Sequence, residues 1–309
     1  MISKILTTSV LLILLVLPVN AFPISILSNT SIKDRDSTSL PFDSANNLIV
    51  ITATLNGKGP FRFLLDTGAS HHVMKPEIAQ ALGLKVTDFG ELDAGGRGRV
   101  RAGSVRVSKV RVGGFTLEKQ QFAVTSFPAS YPFEGFLGAE LFKHFIVIID
   151  FKHSLITLAH PNAFRYQGRG VSLPIKFYEG LIPQVKGEVD NLAGWFKIDT
   201  GYNGSLALFG KFIDENGLLA KYPPQTINPG GLTLTGEVGD SPTTQVRQFK
   251  LGNLTLHNVL TSFFLEKEGS NSAFSGAIGT VTLKQFNVII DYKSQRVVLE
   301  SREAGASVR

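Results

Sequence analysis

The tripeptide Asp-Thr-Gly occurs twice, as Asp66-Thr67-Gly68 and Asp199-Thr200-Gly201, each time ending an apolar run: FRFLLDTGAS at 61–70 and GWFKIDTGYN at 194–203. At average usage a given tripeptide of common residues occurs on the order of 0.1 times in a chain of this length, so two unrelated turns explain the pair poorly. Two carboxylates brought close together cannot both ionise cheaply. They share a proton, one pKa falling and the other rising, which puts an acid and a base in one site. A water held between them can give a proton to the ionised member while the protonated member hydrogen-bonds a carbonyl oxygen, the chemistry of opening an amide through a tetrahedral diol. Gly68 and Gly201 lack the Cβ that would keep two such loops apart. Thr67 and Thr200 are small and able to hydrogen-bond the opposite loop, which supplies the rigidity the acids need.

The elements that position these residues are duplicated. Residues 135–158, GFLGAELFKHFIVIIDFKHSLITL, align without gaps on 276–299, GAIGTVTLKQFNVIIDYKSQRVVL, and VGGFTL at 112–117 matches LGNLTL at 251–256 in the same order. Repeated units packed about a two-fold axis bring equivalent loops together at that axis, so each Asp meets its mate. The text around the motifs is mostly of the β type. LIVITATL and FRFLL flank Asn56-Gly57-Lys58-Gly59 as a hairpin. Short helices are predicted over 75–84, 210–219 and, as a single turn, 141–144. The second copy is the longer, its extra residues falling in the Pro-, Gly- and Thr-rich stretch 223–243, where loops absorb insertions readily. Structure is expected to begin at Leu48.

The first 21 residues read as a secretory signal: basic Lys4, an apolar run from Ile5 to Val19, and small-residue Ala21 at a cleavage site. The domain reading is therefore 1–21 signal, 22–46 polar arm or pro-segment, 47–161 N-terminal lobe, 162–170 linker, 171–301 C-terminal lobe and 302–309 tail. Export places the protein outside the cell or in a periplasm, with an uncleaved membrane anchor as the alternative. The absence of cysteine excludes disulfides, thiol catalysis and cysteine metal sites. A net charge of +6 suits an anionic envelope surface or acidic substrates, but no nucleic-acid recognition motif accompanies it.

The chain resembles the retropepsin-like aspartic proteases, the clan of pepsin and the retroviral proteases, over roughly 48–300, with two lobes fused in one polypeptide. The resemblance is carried by LLDTGAS, Phe136-Leu137-Gly138, KIDTG and Ala277-Ile278-Gly279. It implies an all-β fold of two related β-barrel lobes about a pseudo-two-fold, with the active-site cleft between them. It also implies a monomer, an endopeptidase acting on polypeptides through a water nucleophile, and no metal or other cofactor. Asp66 and Asp199 take the catalytic roles, and Thr67, Gly68, Ser70, Thr200 and Gly201 support their loops. Leu137-Gly138 and Ile278-Gly279 match the apolar pairs that pack under the loops in that family. A flap closes over the substrate in the family; the candidates here are Ala94–Gly103, with Gly95, Gly96 and Gly98, and 229–239, with Gly230 and Gly231. Tyr202 stands where the family has Ala, Ser or Thr, so the surroundings of Asp199 are expected to differ, either tuning the dyad or narrowing the cleft. A catalytically inactive peptide-binding or chaperone-like module of the same fold is the alternative reading.

Other residues have plainer readings. Asp150 and Asp291 are also paired by the repeat, but each precedes an aromatic residue, a Lys and another strand, the pattern of a hairpin turn at a sheet edge. His71 and His72 lack further ligands at metal spacing. Arg97, Arg99, Arg101, Arg106, Lys109 and Arg111 form either a basic cleft edge or a solvated strand face.

Overall fold

The hairpin around Asn56 sets the pattern of the first lobe. In the computed structural model, which describes residues 36–94, 98–229, 234, 240–265 and 273–302, strand Val50–Leu55 pairs antiparallel with Lys58–Leu65, Leu55 lying opposite Lys58. The linking Asn56 and Gly57 both have positive φ, 49° and 79°, the tight-turn conformation that Asn-Gly adopts most readily. The second strand ends in Phe63, Leu64 and Leu65, all buried, because both of its faces are covered. Phe63 and Leu65 enter the main core, whereas Leu64 joins a separate cluster with Val73, Tyr131 and Phe133.

Seven strands form the sheet of this lobe, in the spatial order Val50–Leu55, Lys58–Leu65, Gly135–Leu137, His72–Met74, Phe115–Val124, Arg99–Val112 and Thr87–Asp93. The second lobe repeats the order with Ile182–Val189, Leu192–Ile198, Gly276–Ile278, Leu206–Phe209, Leu254–Phe264, Asp240–Leu251 and Thr226–Pro229, and adds Lys176–Tyr178 at the edge. A further pairing closes each sheet on itself, Ala53 with Val112 in one lobe and Glu188 with Lys250 in the other. The result is two related β-barrels, an all-β fold. The helices are short: Pro76–Ala81, Ala139–His144, Gly210–Glu215, Leu218–Lys221 and Thr280–Leu283.

A six-stranded sheet joins the lobes. At its centre Ile146–Asp150 runs antiparallel to Phe286–Asp291, with Ile149 opposite Val288 and Val147 opposite Ile290. Leu155–Ala159 and Arg296–Ser301 flank them, and Ser37–Pro41 and Val171–Pro174 form the two edges. One face packs into the main core through Val147, Ile149, Val288 and Ile290. The other carries Ile146, Ile148, Ile289 and Val298 beneath Phe164, which is buried. The segment expected as a linker, 162–170, thus covers the outer face of the sheet, with the Tyr166 hydroxyl donating to Glu300 and accepting from the Gly170 amide.

The sheet also includes residues ahead of Leu48, where structure was expected to begin. Ser37–Pro41 is a strand, with Leu40 and Phe42 buried, so part of the stretch expected as an arm belongs to the fold. Its counterpart is Val171–Pro174, and the repeat was visible here too: Ser39-Leu40-Pro41 matches Ser172-Leu173-Pro174. Asp150 and Asp291 close hairpins as turn residues. Asp150 accepts the amides of Lys152 and His153, and Asp291 that of Ser294, though their strands lie at the centre of the sheet and not at its edge.

Because Ile149 is fully buried at the lobe junction, Ile149→Ala is expected to lower stability by about 2–5 kcal/mol. Urea denaturation measures this, and an unchanged midpoint would contradict the assigned packing.

Candidate active site

Each Asp-Thr-Gly loop leaves its strand at a place fixed by a parallel neighbour. Leu65 pairs with Leu137 and Ile198 with Ile278. The chain then turns away while the Asp66 and Asp199 amides donate to the Leu137 and Ile278 carbonyls, each at 3.0 Å. Gly138 and Gly279 follow those two residues and pack against the backs of the loops. A Cβ on Gly138 would lie 2.4 Å from the His71 carbonyl oxygen, and one on Gly279 2.4 Å from that of Gly204. A side chain at either position would push the loop out of place.

The two loops interlock. The Thr67 amide donates to the Thr200 hydroxyl and the Thr200 amide to the Thr67 hydroxyl, both at 3.0 Å. Each hydroxyl donates onward to a strand of the opposite lobe, Thr67 to the Ile198 carbonyl at 2.7 Å and Thr200 to that of Leu65 at 2.6 Å. Both threonines are fully buried, so water cannot replace these bonds. Gly68 and Gly201 then lie against the opposite acids. A Cβ on Gly68 would sit 2.5 Å from Asp199 Oδ1, and one on Gly201 2.5 Å from the Asp66 carboxyl carbon. Within its own loop each carboxylate accepts a glycine amide, Gly68 to Asp66 at 2.8 Å and Gly201 to Asp199 at 3.0 Å.

The carboxyl of Asp66 has its pKa raised to about 7. Burial is the larger cause and the neighbouring Asp199 the second; the Gly68 and Ala69 amides and Lys197 act in the opposite direction. Beside Asp199 lies a group that the reading of the motif missed. Lys197 Nζ is 3.0 Å from Asp199 Oδ2, and both side chains are nearly buried. The signal was a lysine inside an otherwise apolar strand, where the first copy has Leu64.

Around the acids is a cleft with a volume of about 390 Å³, walled by both lobes. Ser70 and His71 line it, whereas His72 is buried, its Nδ1 accepting the Gly138 amide at 3.1 Å and its pKa pushed down to about 4 by burial. Among the described residues no three potential ligands group to hold a metal. Tyr202 forms part of the wall. Its ring meets Phe264 edge-on, its hydroxyl is hydrogen-bonded with Ser262 and lies over Gly204, and burial raises its pKa to about 12. Tyr202 therefore lines the cleft as a neutral side chain.

Ala94 of the first flap candidate and Leu234 of the second line the cleft, as does Leu92 just ahead of the first, and Leu234 packs against the first lobe's cluster. Gly98 is exposed with φ of 83°, while Gly95, Gly96, Gly230 and Gly231 lie outside the described residues, as does Arg97. Of the basic residues read either as a cleft edge or as a solvated strand face, Arg99, Arg101, Arg106, Lys109 and Arg111 are all exposed, and Arg99 pairs with the cleft-lining Glu91 at 3.0 Å. The cleft wall itself carries Glu91, Asp93 and Glu179.

This arrangement defines a class of fold before any single relative is considered: two β-barrels sharing one six-stranded sheet, with paired Asp loops in the cleft. That is the two-lobe acid-protease fold, and the solved aspartic proteinase from Irpex lacteus has it. The likeness covers 88% of this chain and all of that one, at a TM-score of 0.59 and 12% identity. A retropepsin-like aspartic protease from Rickettsia conorii aligns over 43% of this chain and 94% of its own, at 24% identity and a TM-score of 0.32. Residues 51–141 match the family model described as aspartyl protease. No curated protein matches the chain by sequence.

Two outcomes follow from the geometry. Thr200→Ala leaves the Thr67 amide and the Leu65 carbonyl unsatisfied and is expected to destabilise the protein by about 1–3 kcal/mol per group, while Thr200→Ser stays close to the parent in thermal unfolding. Asp66 holds its proton more tightly folded than unfolded. Its contribution to stability is thus full below about pH 4 and is lost as the pH rises towards 7. Asp66→Asn is expected to flatten that decline, read from denaturant midpoints at pH 4 and pH 7.5.

Proposed function

We propose that this protein is an aspartic endopeptidase that hydrolyses peptide bonds with a water activated between Asp66 and Asp199. The observation that carries the reading is the reciprocal Thr67–Thr200 lock, which holds two carboxyl-bearing loops against one another at the floor of a cleft. So rigid a juxtaposition of two acids is unfavourable for folding and useful for acid–base chemistry.

With one proton on the pair, Asp66 carries it below about pH 7 and Asp199 is the base. Asp199 takes a proton from the water as its oxygen attacks the carbonyl carbon, and Asp66 gives its proton to the carbonyl oxygen, forming a neutral diol. Asp199 then passes its proton to the amide nitrogen, the C–N bond breaks as Asp66 takes back a hydroxyl proton of the diol, and a carboxylic acid and an amine leave. The chain itself supplies both proton carriers. The half-enclosed cleft and its two flap regions suit an extended polypeptide passing between the lobes. The N-terminal sequence supports export to the cell exterior or periplasm, and the fused lobes support action as a monomer, with the pseudo-dimer internal to the chain.

Incubation with an unbiased peptide library at acidic and neutral pH tests the reading. Cleavage is expected from the parent, with a loss of at least about 10³-fold in Asp66→Asn, whose circular dichroism stays native. Turnover by Asp66→Asn equal to the parent's would overturn the role of Asp66, and a parent that binds peptides without cutting them would favour the inactive peptide-binding alternative.

A further inference from the structure

The two lobes place different side chains at the position two residues before each Asp. In the first lobe it is Leu64, opposite Phe136 and packed among apolar groups. In the second it is Lys197, opposite Ala277, only 9% exposed. Strand alternation sends Phe196 and Ile198 into the core and turns Lys197 towards Asp199. The ammonium lies 3.0 Å from Asp199 Oδ2 and over the faces of Phe209 and Phe274, 5.5 and 5.8 Å from their ring centres. A buried cation is tolerated when a carboxylate and aromatic faces surround it in this way.

We propose that Lys197 is a positioning residue that fixes the negative charge of the dyad on Asp199, so that Asp66 is the member that carries the proton. In a dyad of two equivalent loops the two singly protonated forms would be nearly equal in energy. An ammonium bound to one carboxylate removes that degeneracy, and the repeat shows the asymmetry to be a side-chain substitution within matching backbones. The other titratable groups facing the pair are Glu91 and Asp93 from the first lobe's flap strand, His71 from its loop, and Tyr178, Glu179 and Tyr202 from the second lobe, with Tyr292 beneath Asp66. Among the described residues lining the cleft, Lys197 is the one lysine or arginine. Glu91 is itself ion-paired with Arg99 at 3.0 Å, and Lys197, 3.0 Å from Asp199 Oδ2, is the cation in direct contact with the dyad.

The inference rests on the acid–base reading of Asp66 and Asp199, and its test separates the two. In Lys197→Met the pH profile of kcat/KM is expected to move upward on both limbs, the acid limb by about one to three pH units. Each unit is about a tenfold loss of activity on that limb. Lys197→Arg, which keeps the charge, should hold the limbs near those of the parent while changing the packing. A uniform rate loss in Lys197→Met, with both limbs unmoved and a native thermal melt, overturns the proposal. Carboxyl carbon-13 NMR titration of the pair gives the same answer without turnover: the Asp199 transition moves up in Lys197→Met if the proposal holds and stays in place if it fails. A parent that cuts no peptide overturns the proteolytic reading, and the titration then decides the role of Lys197.

Discussion

Everything in this fold is arranged around holding two carboxyl groups close together where water is scarce. Left to themselves the two acids would separate, since burial and mutual repulsion both oppose charge at the site, as the raised pKa of Asp66 records. The Thr67–Thr200 lock opposes that separation with four hydrogen bonds crossing the pseudo-two-fold, none of which solvent can replace. Behind it the glycines at 138 and 279 allow the loops to settle on their supporting strands. Farther out, the six-stranded sheet sets the distance between the lobes through buried Val and Ile side chains. Strain at the floor of the cleft is thus borne by apolar packing well away from it.

The two lobes share the backbone of this arrangement but not all of its chemistry. Corresponding strands pair in the same order in both lobes, and both acids receive a glycine amide. Among the differences, three fall on side chains near the loops: Leu64 against Lys197, Ala69 against Tyr202, and His72 against Ser205. The last pair shows how the same backbone need is met in two ways. The Gly138 amide is taken by the His72 ring, whereas the equivalent Gly279 amide is taken by the Ser205 carbonyl.

What was legible in the sequence was whatever rests on local chemistry repeated in order. The Asp-Thr-Gly pair, the Asn-Gly hairpin and the turn roles of Asp150 and Asp291 all belong to that kind. The strand Ser37–Pro41 was not legible from composition, because polar text with one buried Leu is all that an edge strand needs. The match of Ser-Leu-Pro with residues 172–174 carried the information instead. The basic stripe of strand Arg99–Val112 shows the converse limit. Period-two alternation puts Arg99, Arg101, Lys109 and Arg111 on one face and Arg106 on the other, and only the twist and position of the strand tell which side chains meet solvent.

The departures at the second loop show most clearly why tertiary placement decides what a substitution means. Tyr202 is the larger change from the family pattern and adjoins the motif, so it drew the expectation of an altered dyad. Its backbone serves the loop, with its amide donating to the Asp199 carbonyl and its carbonyl accepting the Thr280 amide, while its ring turns to Phe264 and its hydroxyl to Ser262. A neutral group held in that way shapes the wall. Lys197 precedes the motif in a strand whose neighbours are apolar, and a one-residue difference in facing separates a core position from a cleft position. It is the strand's pleat that puts an ammonium against Asp199, so the electrostatics of the site depend on a residue outside the motif.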